Sequence, residues 1–262
     1  MSTEASLSSN DAAVGTFITS SLQAIGGAVR AQNDALLLKY MLALFEFTAT
    51  HPRARVPIVD EEEEADGGGL TLPHYIIRQG ARDEWYRDRT EWMLMALAPT
   101  MLADCSLEEQ RDILCEALRT ENDTAVALLL HYFGVHVGAT GLLDAVRFAA
   151  NPLVLESFLN EASKCAARKW GVRGDETDDR KRTALHAFAA HWLAADRPFY
   201  ADGVITRVVR ALLALDVPAD ARDDSGRTAS DYLRLLTTAS SDEDELIEDA
   251  GAAIQLLLAE TE

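Results

Sequence analysis

The chain has 262 residues, 48% of them hydrophobic, enough apolar material for one elongated domain or two small ones. Its formal net charge of −19 repels phosphates and so speaks against binding of DNA, RNA or an anionic membrane. Ala and Leu predominate, β-branched runs are short and Pro occurs only seven times, a composition that predicts an all-α fold with short turns.

The opening Met1-Ser2-Thr3-Glu4 lacks the positive start of a secretory signal. Two helices follow, over residues 11–31 and 34–50, the second carrying Leu37, Tyr40, Met41, Leu44 and Phe45 along one side. Its apolar stretch from Ala35 to Phe47 is interrupted by Lys39 and Glu46, so it is not read as a membrane span. Residues 1–59 are therefore expected to form an N-terminal helical cap. The run Asp60-Glu61-Glu62-Glu63-Glu64-Ala65-Asp66 and the glycines 67–69 read as a flexible, solvated loop over 60–69. These glycines are a poor phosphate cradle, because the carboxylates beside them oppose the ligand.

Thr71-Leu72-Pro73-His74 opens the next helical stretch. In it, Trp85 and Tyr86 lie among mixed charges and are expected to pack against a neighbour rather than anchor a partner, and Trp92 is expected in the core with Leu94, Met95 and Leu97. Ser106 precedes Leu107-Glu108-Glu109 as a helix cap, and Thr140-Gly141-Leu142-Leu143 opens a further helix. Cys105, Cys115 and Cys165 are odd in number and lack Cys-x-x-Cys spacing, which predicts neither disulfides nor a zinc site and points to the cytosol or nucleus. Trp170 falls in a polar insertion and is expected to fold back onto the helices.

The cluster Arg180-Lys181-Arg182 follows Asp175, Glu176, Asp178 and Asp179, and the two signs roughly cancel. Thr183-Ala184-Leu185-His186 then starts a helix containing Phe188, Ala189 and Trp192. Ile205, Val208, Val209, Leu212 and Leu213 take the spacing of a helix with one buried face. A polar turn follows, Asp220-Ala221-Arg222-Asp223-Asp224-Ser225-Gly226-Arg227-Thr228, in which Gly226 can take a positive φ, Asp223 and Ser225 can bond their own backbone, and Thr228 caps the next helix. A second acidic run lies at Asp242-Glu243-Asp244-Glu245.

The turn and the tetrapeptides together resemble the ankyrin repeat, Asn-Ala-x-Asp-x-x-Gly-x-Thr-Pro-Leu-His. Ala221, Asp223, Gly226 and Thr228 match in place, Asp220 stands for the Asn, and the middle pair of the tetrapeptide is exchanged at 71. The starts 71, 106, 140, 183 and 228 differ by 35, 34, 43 and 45 residues, near the family's period of about 33 with insertions in the last two full units. The resemblance implies an ankyrin-like helical solenoid of about five divergent repeats over 70–262, behind the N-terminal capping helix pair. It implies structural roles for Thr71, His74, Thr140, Thr183, His186, Gly226 and Thr228, with His186 and His74 hydrogen-bonding between neighbouring repeats. It also implies partner contacts at the turn residues Arg222, Asp224, Ser225 and Arg227, at Tyr232 on the following helix, and at Ala187, Ala190 and His191 on the preceding unit.

Reaction motifs are missing: there is no His-Glu-x-x-His, no Gly-x-Ser-x-Gly and no Gly-x-x-x-x-Gly-Lys. His186 and His191 lie about 140° apart around a helix and cannot readily share a metal. No catalytic residue, metal or cofactor is expected. The leading function is a protein-binding scaffold or adaptor that uses the concave repeat surface, with a basic protein as partner, as a chaperone, inhibitor or immunity-type protein would be. Two alternatives are an enzyme whose pocket is built from degenerate repeats and their insertions, and self-association through the helix at 35–47.

Overall fold

The computed structural model describes residues 9–51, 71–82, 84–103, 105–135, 137, 141–165, 173–193, 203–239 and 244–260. The acidic run at 60–66, Thr140 and the Trp170 insertion lie outside the described residues, as do the side chains of Trp85, Tyr86 and Trp192. Every described element is helical, and the chain divides into two compact units, residues 1–106 and 107–262.

The first unit holds α1 (Ser9–Arg30), α2 (Asp34–Thr50), α3 (Leu72–Arg82) and α4 (Glu84–Leu102). α1 pairs with α2 and α3 with α4, and α2 packs on α4. The chain reverses between α1 and α2 because Gln32 takes φ +48° and the Asn33 side chain accepts the Leu36 N–H at 3.0 Å. α2 buries Leu37, Met41, Leu44 and Thr48. Phe45 and Tyr40, expected on that face, are 37% exposed and half-buried respectively.

The second unit repeats one helix-turn-helix device. α5 (Leu107–Arg119) pairs with α6 (Asp123–Ala127), which runs on into a π-helical turn over Leu128–Tyr132. α7 (Gly141–Phe148) and α8 (Pro152–Cys165) form the next pair, α9 (Ala184–Leu193) and α10 (Val204–Leu213) the third, α11 (Ala229–Ala239) and α12 (Asp244–Ala259) the fourth. The first helices α5, α7, α9 and α11 stack in sequence as one row, and the second helices α6, α8, α10 and α12 as another. Within this unit each pair thus touches its neighbouring pairs, which is a helical-repeat architecture.

Small polar residues make the turns. Asn122 accepts the Ala125 N–H at 3.0 Å behind Glu121 at φ +55°, as Asn33 does in the first unit, and Asn151 accepts the Val154 N–H at 2.9 Å. Between these two turns the Ala150 N–H reaches the Leu118 carbonyl at 3.1 Å and ties one pair to the next. Between the rows the core is apolar, with Phe158, Leu159, Phe188, Val208 and Leu212 at 0–1% exposure. Cys115 of α5 is buried, and burial foremost, with Asp144 adding, pushes its thiol up to about 12, so it stays a protonated, inert core residue.

α10 lacks a cap of its own, since its preceding residue is Gly203 at φ +74°. Asp249 of α12 supplies one from the neighbouring pair, accepting the N–H groups of Ile205 at 2.8 Å and Thr206 at 3.0 Å, and the Thr206 hydroxyl at 2.5 Å. Asp249→Ala strands these donors and is expected to cost about 2 kcal/mol, read as a lower urea midpoint. Asp249→Asn keeps one acceptor oxygen and is expected to lose about half as much.

Candidate protein-binding surface

The surface begins with the turn between α10 and α11. Asp223 is buried beneath it and organises it: one carboxylate oxygen accepts the N–H groups of Ser225 and Arg227, both at 2.9 Å, and the other accepts the Tyr232 hydroxyl at 2.6 Å. Burial pushes this carboxyl up, but the Tyr232 hydroxyl and the two N–H groups outweigh burial and hold it below the usual carboxylate range. Gly226 takes φ +76° at the tip, and Arg222 donates to its carbonyl at 2.7 Å. The result is a rigid loop whose Arg222, Asp224, Ser225 and Arg227 side chains are exposed.

An equivalent turn, with no glycine to signal it in the sequence, precedes α9. Asp178 accepts the N–H groups of Arg180 and Arg182 at 2.9 and 3.0 Å, as Asp223 does those of Ser225 and Arg227. Lys181, at φ +56°, stands where Gly226 stands in the later turn. The offset from Asp to the left-handed residue and on to the capping Thr is the same in both, Asp178-Lys181-Thr183 and Asp223-Gly226-Thr228. A lysine in the glycine position hides the match in the sequence, where the aspartates read as balance for the neighbouring basic residues. The Asp224 N–H donates to the Arg180 carbonyl at 3.0 Å, so the two turns are joined edge to edge.

Behind them, His186 is fully buried and links the start of α9 to the turn before α11. Its Nδ1 accepts the Thr183 N–H at 3.2 Å and lies 2.8 Å from the Thr183 hydroxyl, and its Nε2 lies 3.0 Å from the Arg227 carbonyl. With Nδ1 accepting, Nε2 carries the proton and donates across to the next turn. At the same place after Thr228 stands Asp231, which turns back instead: its carboxylate accepts the Thr228 N–H at 2.9 Å and the Thr228 hydroxyl at 3.0 Å, a capping box. In the first unit Thr71 is buried at the start of α3 and accepts the His74 N–H at 3.4 Å, with His74 half-buried.

The remaining expected contact residues are less open than the turn tips. Ala187, an implied partner contact, is only 6% exposed on α9, which packs on both α7 and α11, so it offers a partner almost no area. Tyr232 is half-buried with its hydroxyl committed to Asp223, so it braces the turn; Ala190 and His191 are half-buried. Trp92, expected in the core, is half-buried and lines a groove.

Charged ties hold the pairs in register. Arg111 of α5 meets Asp144 of α7 at 2.6 Å, Arg147 of α7 meets Asp178 at 3.0 Å, and Arg207 of α10 meets Glu156 of α8 at 2.9 Å. Among the described residues no group of three or more His, Cys, Asp or Glu is placed to hold a metal ion, and no helix is long and apolar enough to cross a membrane. Compared with family models, curated proteins and solved structures, the chain finds no match in any of the three.

Proposed function

We propose that the chain is a non-catalytic protein-binding scaffold of the ankyrin type, with about five divergent repeats that begin near 71, 106, 140, 183 and 228. The reading is supported above all by the paired turns at 178–182 and 223–227. They spend buried aspartates, backbone N–H groups and a cross-linking histidine on holding exposed side chains still, and such preorganisation lowers the entropy a partner must overcome on binding. Arg180, Lys181, Arg222 and Arg227 alternate there with Asp179 and Asp224, a mixed pattern that sets register with a partner. The overall charge of −19 steers a basic protein toward the chain from a distance. The free thiols of Cys105 and Cys115 fit work in the cytoplasm or nucleus.

Capture of binding proteins by the immobilised full chain, at low and high salt, tests this reading when run beside an Arg222→Glu/Arg227→Glu variant. Basic proteins are expected on the wild type, largely lost at high salt, with a partner subset lost on the variant. Identical profiles for both chains, or captured proteins that are acidic and insensitive to salt, would remove it.

A further inference from the structure

α2 buries only one of its apolar stripes. Next to the buried residues run Leu38, Leu42 and Phe45, at i, i+4 and i+7, and they are 51%, 54% and 37% exposed. Large apolar side chains in a row at solvent mark a surface with a partner more often than chance exposure. On α4, Trp92 lines the same groove as Leu38, and Met95, one turn on, is 39% exposed. Asp34, Leu38, Asp88, Arg89 and Trp92 line one groove of about 450 Å³ between the two helices. Within it Arg89 is paired with Asp34 at 2.8 Å, which neutralises the lining's cation and leaves the exposed Asp88 to give the mouth its negative charge.

We propose that this groove binds an amphipathic, basic helix of a partner protein, its apolar side chains against Leu38, Leu42, Phe45, Trp92 and Met95 and a lysine or arginine at Asp88. The inference rests on the protein-binding reading above and places a second contact in the first unit, whereas the turn tips belong to the second. Leu38 to Phe45 spans roughly 10 Å along α2, two turns of a helix laid in the groove, and such grooves take helices by anchors at i, i+3, i+4 and i+7. A second copy of the chain is a poor occupant, since it would bring together two chains of charge −19.

The test is fluorescence anisotropy at physiological salt, using the full chain and a labelled peptide of about 14 residues with Leu and Lys at helical spacing. Its Leu/Glu counterpart and a Gly/Ser/Lys peptide of equal charge serve as comparisons. The Leu/Lys peptide is expected to bind, the other two at least about ten-fold more weakly. Leu42→Glu and Asp88→Lys, both at exposed positions and checked for unchanged helical content by circular dichroism, are each expected to weaken it about ten-fold or more. Arg222→Glu/Arg227→Glu is expected to leave it unchanged. Equal binding of either comparison peptide, no binding of any peptide, or no effect of the groove variants overturns the proposal. So does concentration-dependent dimerisation relieved by Leu42→Glu, which would make a second copy the occupant. Loss of binding in the turn variant alone overturns the groove and leaves the protein-binding reading standing.

Discussion

His186→Ala is expected to lower the stability of the second unit by about 3–5 kcal/mol and its melting temperature by roughly 10 °C. The ring is fully buried, so its removal leaves a cavity. Its loss also strands the Arg227 carbonyl and the Thr183 N–H, each of which makes its hydrogen bond to the imidazole. Because Nε2 reaches from α9 to the turn before α11, the damage concentrates at the junction of the third and fourth helix pairs. In a repeat array stability is a sum of unit terms and nearest-neighbour interface terms, and this variant weakens one interface. Hydrogen exchange is therefore expected to show α11 and α12 losing protection while α5 to α8 keep theirs. Thr183→Val, which removes only the hydroxyl beside Nδ1, is expected to cost about 1 kcal/mol, and combined with His186→Ala to add almost nothing. Full additivity of the two would show that Thr183 and His186 act separately. Uniform loss of protection through α5–α12 would show that the second unit unfolds as one body.

The sequence carried the turn at 223–227 because the signal is local: an aspartate, a glycine at a positive φ and a threonine cap, all within six residues. The same turn at 178–182 escaped notice once Lys181 took the glycine's place, since a lysine in a charge cluster reads as solvated surface. Packing between helices was legible only in part. α2 is apolar around most of its circumference, from Leu36, Leu37 and Leu38 through Tyr40, Met41, Leu42, Leu44 and Phe45, so periodicity alone could not say which stripe meets α1 and α4. The structure chose Leu37, Met41, Leu44 and Thr48, and left Leu38, Leu42 and Phe45 outside. Asp249 capping α10 from 44 residues away, and Asp178 receiving Arg147 from 31 away, depend on the stacking itself and have no local trace. Ala187 shows the converse: its place on the first helix of a repeat suggested an open position, but the flanking helices close over it.

Asp178 also makes the acid stability of the chain predictable. Its carboxylate lies between Arg182, at 2.7 and 2.9 Å, and Arg147, at 3.0 Å, while it accepts two backbone N–H groups. Burial pushes the carboxyl up, but Arg182's guanidinium, then the N–H groups of Arg182 and Arg180, outweigh burial and bring it down to about 2 from its ordinary 3.8. A carboxyl whose folded pKa is depressed stabilises the native state above its unfolded pKa, and this contribution is lost as pH falls through the folded value. The difference here corresponds to about 2 kcal/mol, present in full above about pH 5 and mostly lost by about pH 2. Asp178→Asn keeps the shape and one acceptor for the turn but removes the charge. Urea unfolding of the two proteins is expected to show the wild type more stable by about 2 kcal/mol at pH 6, with the gap closing between about pH 4 and pH 2. Asp223 and Asp231 are held low as well, so both proteins weaken in acid, and the gap between them isolates Asp178. A gap that stays constant down to pH 2 would mean that Asp178 works through the geometry of its hydrogen bonds and that its charge, with Arg147 and Arg182 around it, adds nothing to the joint between α7 and the turn before α9.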